Sequence, residues 1–279
     1  MFILEMLKAI VLGIVEGITE WLPVSSTGHM ILIDEFLNLN VSDDFREMFL
    51  VVIQLGAICA VPVLFFNKLN PFSKIKSGAE KKNTWALWFK VIVGAIPAAI
   101  IGVLLDDFLD EHLYNYGVVA AALIIYGIVF IFIEKVRAGK PTRVENVEDL
   151  SYTDALKIGA FQVLSLIPGT SRSGSTIIGG MTFGVSRSAS AEFSFFMAIP
   201  IMLGASGLKL LKFIMSGVSV TGEEIALLLI GIVASFFVSL FAIKFLMDFV
   251  KRHDFKPFGI YRIILGAIVI GYFLIKTLA

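Results

Sequence analysis

Glu16 and Glu20 lie four residues apart in a stretch whose neighbours are mostly apolar, and Pro23 then introduces Ser25-Ser26-Thr27-Gly28-His29. Residues four apart share one face of a helix. Two carboxylates that close repel unless a cation lies between them or they share a proton. A divalent cation bound through oxygen, alongside phosphate oxygens, would satisfy them; so would a place in a proton or ion pathway. The hydroxyl run suits a helix start, where free N–H groups and the positive end of the dipole bind phosphate. One hydroxyl there would read as a helix cap. Three in succession, with Gly28 allowing close backbone approach, exceed what capping needs. His29 is a candidate acid, base or nucleophile, against the alternative of a structural imidazole.

A second cluster, Pro168-Gly169-Thr170-Ser171-Arg172-Ser173-Gly174-Ser175, sets an arginine in a glycine- and hydroxyl-rich turn. The guanidinium fork matches phosphate oxygens; the competing reading pairs Arg172 with Glu16 or Glu20 for structure. Together the clusters describe a site that binds a phosphorylated ligand and breaks its phosphate bond. With such a ligand between them, the carboxylates would not need Arg172 as a direct partner. Gln54, Glu192 and Ser194 are weaker candidates to line the cavity. His112 and His253 read as solvated loop residues, and Phe193 to Phe196 as core or lipid-facing.

The elements that must position these groups are membrane helices. The 279 residues are 57% hydrophobic and 16% charged, against about 25% charged in an average soluble domain. A charge at the centre of a membrane helix costs roughly 2.5–3.5 kcal/mol on insertion scales, so intramembrane carboxylates point to function. Formal net charge is zero, which leaves no global basic field for nucleic acid. Cys59, the sole cysteine, cannot form an internal disulfide and reads as a small packing residue. The N-terminus has no basic n-region and reads as part of the mature chain.

Six apolar stretches, at 48–66, 86–105, 115–134, 190–211, 225–247 and 258–277, are long enough to cross about 30 Å of hydrocarbon. Two more, 3–37 and 153–188, are broken at Pro23 and at Pro168-Gly169. Non-helical backbone survives at membrane depth only inside protein or around a wet cavity, so both read as re-entrant hairpins. Lysines and arginines concentrate in residues 67–90, in the linker 135–152 and around 248–257, which makes those segments cytoplasmic. The acidic connection from Asp106 to Glu111 and the segment 213–224 lack them and lie outside, as do both chain ends. The expected architecture is an all-α integral membrane protein of two inverted-topology repeats, 1–134 and 153–279, each a re-entrant hairpin plus three spans. WLPVSSTG (21–28) pairs with LIPGTSRS (166–173), and NYGVVAAALIIYG (115–127) with PFGIYRIILGAIV (257–269). Inverted repeats with broken helices also occur in transporters, so a carrier or flippase for a lipid phosphate is the competing function.

The motifs EGITEWLPVSSTGH and PGTSRSG, with VVIQLGA (51–57) and AEFSFFMAIP (191–200), resemble those of the undecaprenyl-diphosphate phosphatase family associated with bacitracin resistance. The resemblance spans nearly the whole chain. It implies hydrolysis of the terminal phosphate of undecaprenyl diphosphate, recycling the lipid carrier of peptidoglycan synthesis. It also implies a plasma-membrane enzyme, often dimeric, with its site facing the periplasm or exterior and a divalent cation, Mg²⁺ or Ca²⁺, as cofactor. Carried over by motif position, Glu16 and Glu20 hold metal and handle protons. Ser26 is the favoured nucleophile, with His29 as base or as competing nucleophile. Arg172 clamps the diphosphate, and Ser25, Thr27, Gly28, Ser171, Ser173 and Gly174 complete the binding turns. The type 2 phosphatidic acid phosphatase class is set aside, because neither His112 nor His253 has an Asp four residues on.

Overall fold

The computed structural model describes residues 2–278; the side chains of Asp34, Asp106, Asp107, Asp110 and Leu278 lie outside that description. Among the described residues the regular structure is helical: α1 (Phe2–Thr19), α2 (Ser26–Leu37), α3 (Asp43–Val52), α4 (Gln54–Leu64), α5 (Phe66–Leu69), α6 (Gly78–Leu113), α7 (Tyr116–Arg137), α8 (Tyr152–Val163), α9 (Arg172–Thr182), α10 (Arg187–Met215), α11 (Gly222–Arg252) and α12 (Lys256–Leu278). Six segments among the described residues are long and apolar enough to cross a membrane, α3–α4 counting as one, so the chain is a multi-pass membrane protein. Side chains that face outward from them, such as Leu104, Ile125, Phe132, Phe241 and Ile264, are large, apolar and more than half exposed. A soluble monomer rarely shows so much exposed apolar surface; lipid is its natural solvent.

Local chemistry sets where the helices start. Ser77 with Glu80, Ser151 with Asp154 and Thr221 with Glu224 form reciprocal caps at α6, α8 and α11, each satisfying donors a first turn leaves free. Several boundaries differ from the hydropathy reading. The span expected at 48–66 begins at Asp43 and is interrupted at Ile53. The acidic connection falls partly on the undescribed side chains, and its backbone is no loop: it continues α6 to Leu113. His112 therefore closes a helix and stacks on Phe108, with centroids 4.5 Å apart. His253 caps α11 and stacks on Phe249. Cys59 is exposed on α4 instead of packed, while Phe193, Phe195 and Phe196 are fully buried. Hydropathy cannot tell a lipid-facing side chain from a core one, because both environments are apolar.

The bundle is assembled from long helix pairs: α1 along α11, α8 along α6, and α7 along α12, with α10 against α3, α4 and α9. Small residues let these backbones touch, the usual device where lipid removes a hydrophobic drive for association. A Cβ at Gly13 would lie 2.5 Å from the Gly231 carbonyl oxygen, and one at Gly159 only 2.1 Å from that of Gly94. The linker after α7 is packed as well: Val144, Val147 and Leu150 are buried, and Arg143 pairs with Asp154. Glu134 holds the ends of three helices together, accepting from Arg187 at 2.9 and 2.5 Å and from the Phe255 amide at 2.8 Å.

The α8–α6 contact tolerates no side chain at its centre. Gly159→Leu will destabilise the detergent-solubilised protein by about 1–3 kcal/mol, the usual range for overpacking, whereas Gly204→Ala, with nothing within 4 Å, will not. Thermal unfolding followed by fluorescence size-exclusion measures both.

Candidate active site

Two buried turns carry the site. The first leaves α1 at Thr19 and enters α2 at Ser26; the second passes from the short 3₁₀ turn Leu164–Leu166 into α9 at Arg172. Ser25 and Ser171, the residues before α2 and α9, both have φ +73°. A left-handed serine is uncommon and strained. Each is held by the same bond: Ser25 Oγ accepts from the Gly28 amide at 3.2 Å, and Ser171 Oγ from the Gly174 amide at 3.1 Å. The matching positions are thus Ser25 and Ser171. The pairing anchored on the prolines is one residue out, because the second turn has one residue more between its proline and this serine.

The cap serines place Ser26 and Arg172 as the first residues of their helices, and both point at Glu20. Ser26 Oγ donates to Glu20 Oε2 at 3.0 Å. Arg172 Nε donates to Glu20 Oε1 at 3.1 Å, and its Nη2 lies 3.1 Å from the same oxygen. The pairing of Arg172 with a carboxylate is therefore direct, and no ligand is needed to bridge them. Arg172 is further fixed by Nη1 donating to the Ser194 carbonyl at 2.7 Å and by the Trp21 ring 5.8 Å from its guanidinium carbon. Ser173 Oγ donates to the Glu20 and Leu22 carbonyls at 3.2 and 3.3 Å, sewing the second turn to the first, and lies 3.1 Å from Ser171 Oγ.

Glu16 sits behind this group, one turn back on α1. It is 1% exposed and its Oε1 has no hydrogen-bond partner. An orphan carboxylate oxygen beside a second carboxylate and a hydroxyl is an all-oxygen donor set, which suits a hard divalent cation. No group of three or more His, Cys, Asp or Glu converges among the described residues, so phosphate or water oxygens would complete the coordination.

His29 is oriented away from the Ser26–Glu20 bond. Its Nδ1 lies 2.8 Å from the Ser25 carbonyl oxygen, which can only accept, so Nδ1 carries the proton and Nε2 accepts from the Tyr261 hydroxyl at 2.6 Å. The two rings stack 5.6 Å apart. Thr27 and Ser26 are half-buried, and Gly28 and Gly174 are buried against Leu123 and Arg262 respectively. Of the weaker candidates, Ser194 is at the site through Arg172 and also accepts from Thr176 Oγ1 at 2.7 Å. Glu192 is elsewhere, paired with Lys68 at 2.7 Å. Two residues went unnoticed in the sequence, Tyr261 and Arg262. An arginine four residues into an apolar span was the available signal, by the same rule that singled out Glu16.

A family model described as bacitracin resistance protein BacA matches residues 9–268. Proteins named undecaprenyl-diphosphatase are similar over the full length. That of Enterococcus faecalis (strain ATCC 700802 / V583) is 58% identical over 96% of this chain and 97% of its own. That of Desulfitobacterium hafniense (strain DSM 10664 / DCB-2) is 57% identical over 100% and 99%. That of Acetivibrio thermocellus is 59% identical over 97% and 98%. With its two serine-capped turns joined through Glu20 and Arg172, and a match over nearly every residue, this chain belongs to the BacA bacitracin resistance protein family.

Proposed function

We propose that the chain is an undecaprenyl-diphosphatase, releasing the terminal phosphate of the lipid diphosphate and leaving undecaprenyl phosphate for reuse as the carrier of peptidoglycan precursors. The carrying observation is the Ser26–Glu20–Arg172 arrangement: a hydroxyl bonded to a carboxylate that an arginine from the other turn holds in place. A carboxylate in hydrogen-bond reach of a serine is the geometry of an activated nucleophile. Glu20 Oε2 takes the proton of Ser26 Oγ as that oxygen attacks the terminal phosphorus. The bridging P–O bond breaks, and the electron pair leaves with undecaprenyl phosphate. Glu20 gives that proton up to solvent. Water then attacks the phosphoserine phosphorus with Glu20 again the base, the P–Oγ bond breaks, and the proton passes from Glu20 to Ser26 Oγ as phosphate leaves.

Charge on the transferring phosphoryl is met by Arg172 and by the N-terminal amides of α2 and α9, where aligned peptide dipoles favour an anion. Phosphate entering the site takes over donors that Glu20 holds in the free protein. A bound Mg²⁺ or Ca²⁺, held by Glu16 and Glu20, would polarise the terminal phosphate. His29, with Nε2 on Tyr261, is placed beside the first turn to stabilise it and to pass a proton outward. It is not bonded to Ser26.

The finer topology belongs to the same reading: two inverted repeats, both hairpins re-entrant, lysine-rich loops in the cytoplasm, and both ends and the site facing outside. Three features support it. Ser25 and Ser171 share one conformation and one capping bond. The close crossing of α1 on α11 at Gly13–Gly231 has a counterpart in that of α8 on α6 at Gly159–Gly94. The lysines and arginines of residues 67–90, of the linker and of 248–257 obey the positive-inside rule.

Purified protein will release phosphate from undecaprenyl diphosphate. Ser26→Ala will remove turnover and the phosphorylated intermediate while ligand binding persists. Transport of undecaprenyl phosphate into liposomes with no phosphate released would instead favour a carrier. Glu20→Gln will lower kcat by about 10²–10⁴, the usual range for a general base, and Arg172→Ala by about 10²–10³; unimpaired turnover in both would refute these roles.

Chelation will abolish turnover, and added Mg²⁺ or Ca²⁺ will restore it. Glu16→Gln will raise the cation concentration needed for half-maximal rate by tenfold or more. An unchanged cation requirement in this variant would remove Glu16 from the metal site.

A further inference from the structure

Arg262 is fully buried on α12, and no carboxylate pairs with it among the described residues. Burying an uncompensated guanidinium is expensive; its hydrogen bonds explain its position. Nη1 donates to the Pro23 carbonyl at 3.2 Å and Nη2 to the Gly169 carbonyl at 2.8 Å. Those residues lie two positions before Ser25 and before Ser171, in the two turns that launch α2 and α9.

The match is mutual. Both carbonyls belong to buried non-helical backbone, which lacks the partners a helix provides and must find others. One planar fork presents donors at a fixed spacing, and here its two ends reach turns 146 residues apart in sequence, from opposite halves of the chain. The surroundings are cut to receive it. Gly174 has no side chain, and a Cβ there would lie 3.2 Å from Arg262 Nη1. Gly169 has φ +91°, and a Cβ on it would lie 2.5 Å from the Val119 carbonyl oxygen, so only glycine lets this turn seat between α7 and the guanidinium. The Tyr126 ring covers the cation at 5.9 Å.

We propose that Arg262 is a positioning residue for the phosphatase reaction, an inference that rests on the function proposed above: its fork sets the spacing of the two turns, and so of Ser26 on one and Arg172 on the other. It touches neither Glu20 nor Ser26. Its effect runs through the turn carbonyls, and it belongs in kcat, because the donors that bind substrate remain when the spacing loosens. Lysine keeps the charge but has no fixed fork to span two carbonyls. Methionine keeps comparable bulk and donates nothing.

The test combines turnover with a distance. Arg262→Lys and Arg262→Met are purified beside the unaltered protein, and phosphate release from undecaprenyl diphosphate is measured with thermal unfolding. The same variants carry spin labels at Phe36 on α2 and Thr182 on α9, both exposed, in a Cys59→Ser background, for electron–electron distance measurement. We expect folded proteins, KM within threefold of normal, kcat down at least thirtyfold in Arg262→Lys and further in Arg262→Met, and a broadened α2–α9 distance distribution in both. Normal kcat in Arg262→Lys and Arg262→Met overturns the proposal. So does an unchanged distance distribution with activity lost only in proportion to folded protein. If the unaltered protein releases no phosphate, the function reading fails instead, and the label distances still report whether the fork spaces the turns. Should Arg262→Met fail to fold, Arg262→Lys alone decides.

Discussion

Every feature of the site depends on how two stretches of buried, non-helical backbone are satisfied. A turn inside an apolar bundle cannot leave its carbonyls and amides to water, so each must be paired within the protein. Here the pairing is done across the chain: Ser173 donates to the carbonyls of Glu20 and Leu22, and Arg262 to those of Pro23 and Gly169. Repairing the backbone of one turn with side chains from distant segments is what brings the turns together. The chemistry at their ends follows from that closeness.

The carboxylate pair gains its meaning from the same arrangement. Glu20 is compensated twice, by Arg172 and by the Ser26 hydroxyl, while Glu16 keeps one oxygen without a partner. The asymmetry fits the proposed reaction, in which Glu20 would exchange a proton with the Ser26 hydroxyl and the unpartnered oxygen of Glu16 would join Glu20 in holding a hard cation. Left-handed Ser25 and Ser171 contribute by turning each helix start so that its first side chain, not its cap, faces the carboxylate. Strain of this kind persists only where neighbours over-determine the conformation, and the Gly28 and Gly174 amides supply that constraint.

Much of the architecture was legible because two simple rules act on composition. Long apolar runs marked the six segments that, among the described residues, could cross a membrane, and polar residues inside two broken runs marked the candidate site. What hydropathy read poorly were the ends and faces. It stopped α6 too early, since an acidic tail can continue a helix beyond the apolar layer. It misjudged Cys59, since a side chain facing lipid and one facing a core obey the same apolar preference. The one-residue offset between the turns was hidden for another reason: the prolines invite alignment, but the repeated object is the left-handed serine, whose conformation no residue type announces.

By itself the sequence determined the class of protein, the two clusters of chemical groups and the kind of ligand they suit, because side-chain types and their local spacing decide charge, donor count and helix face. Only the tertiary structure decided who touches whom. Ser26 meets Glu20 and not His29 across a turn whose path residue types do not fix, and the meetings of His29 with Tyr261, of Arg172 with Glu20 and of Arg262 with both turns are contacts across segments far apart in the chain. Local rules carry no information at that range. Such contacts are set by glycine-to-glycine helix crossings and by the need of buried backbone to find partners, and both of these exist only once the whole bundle has closed.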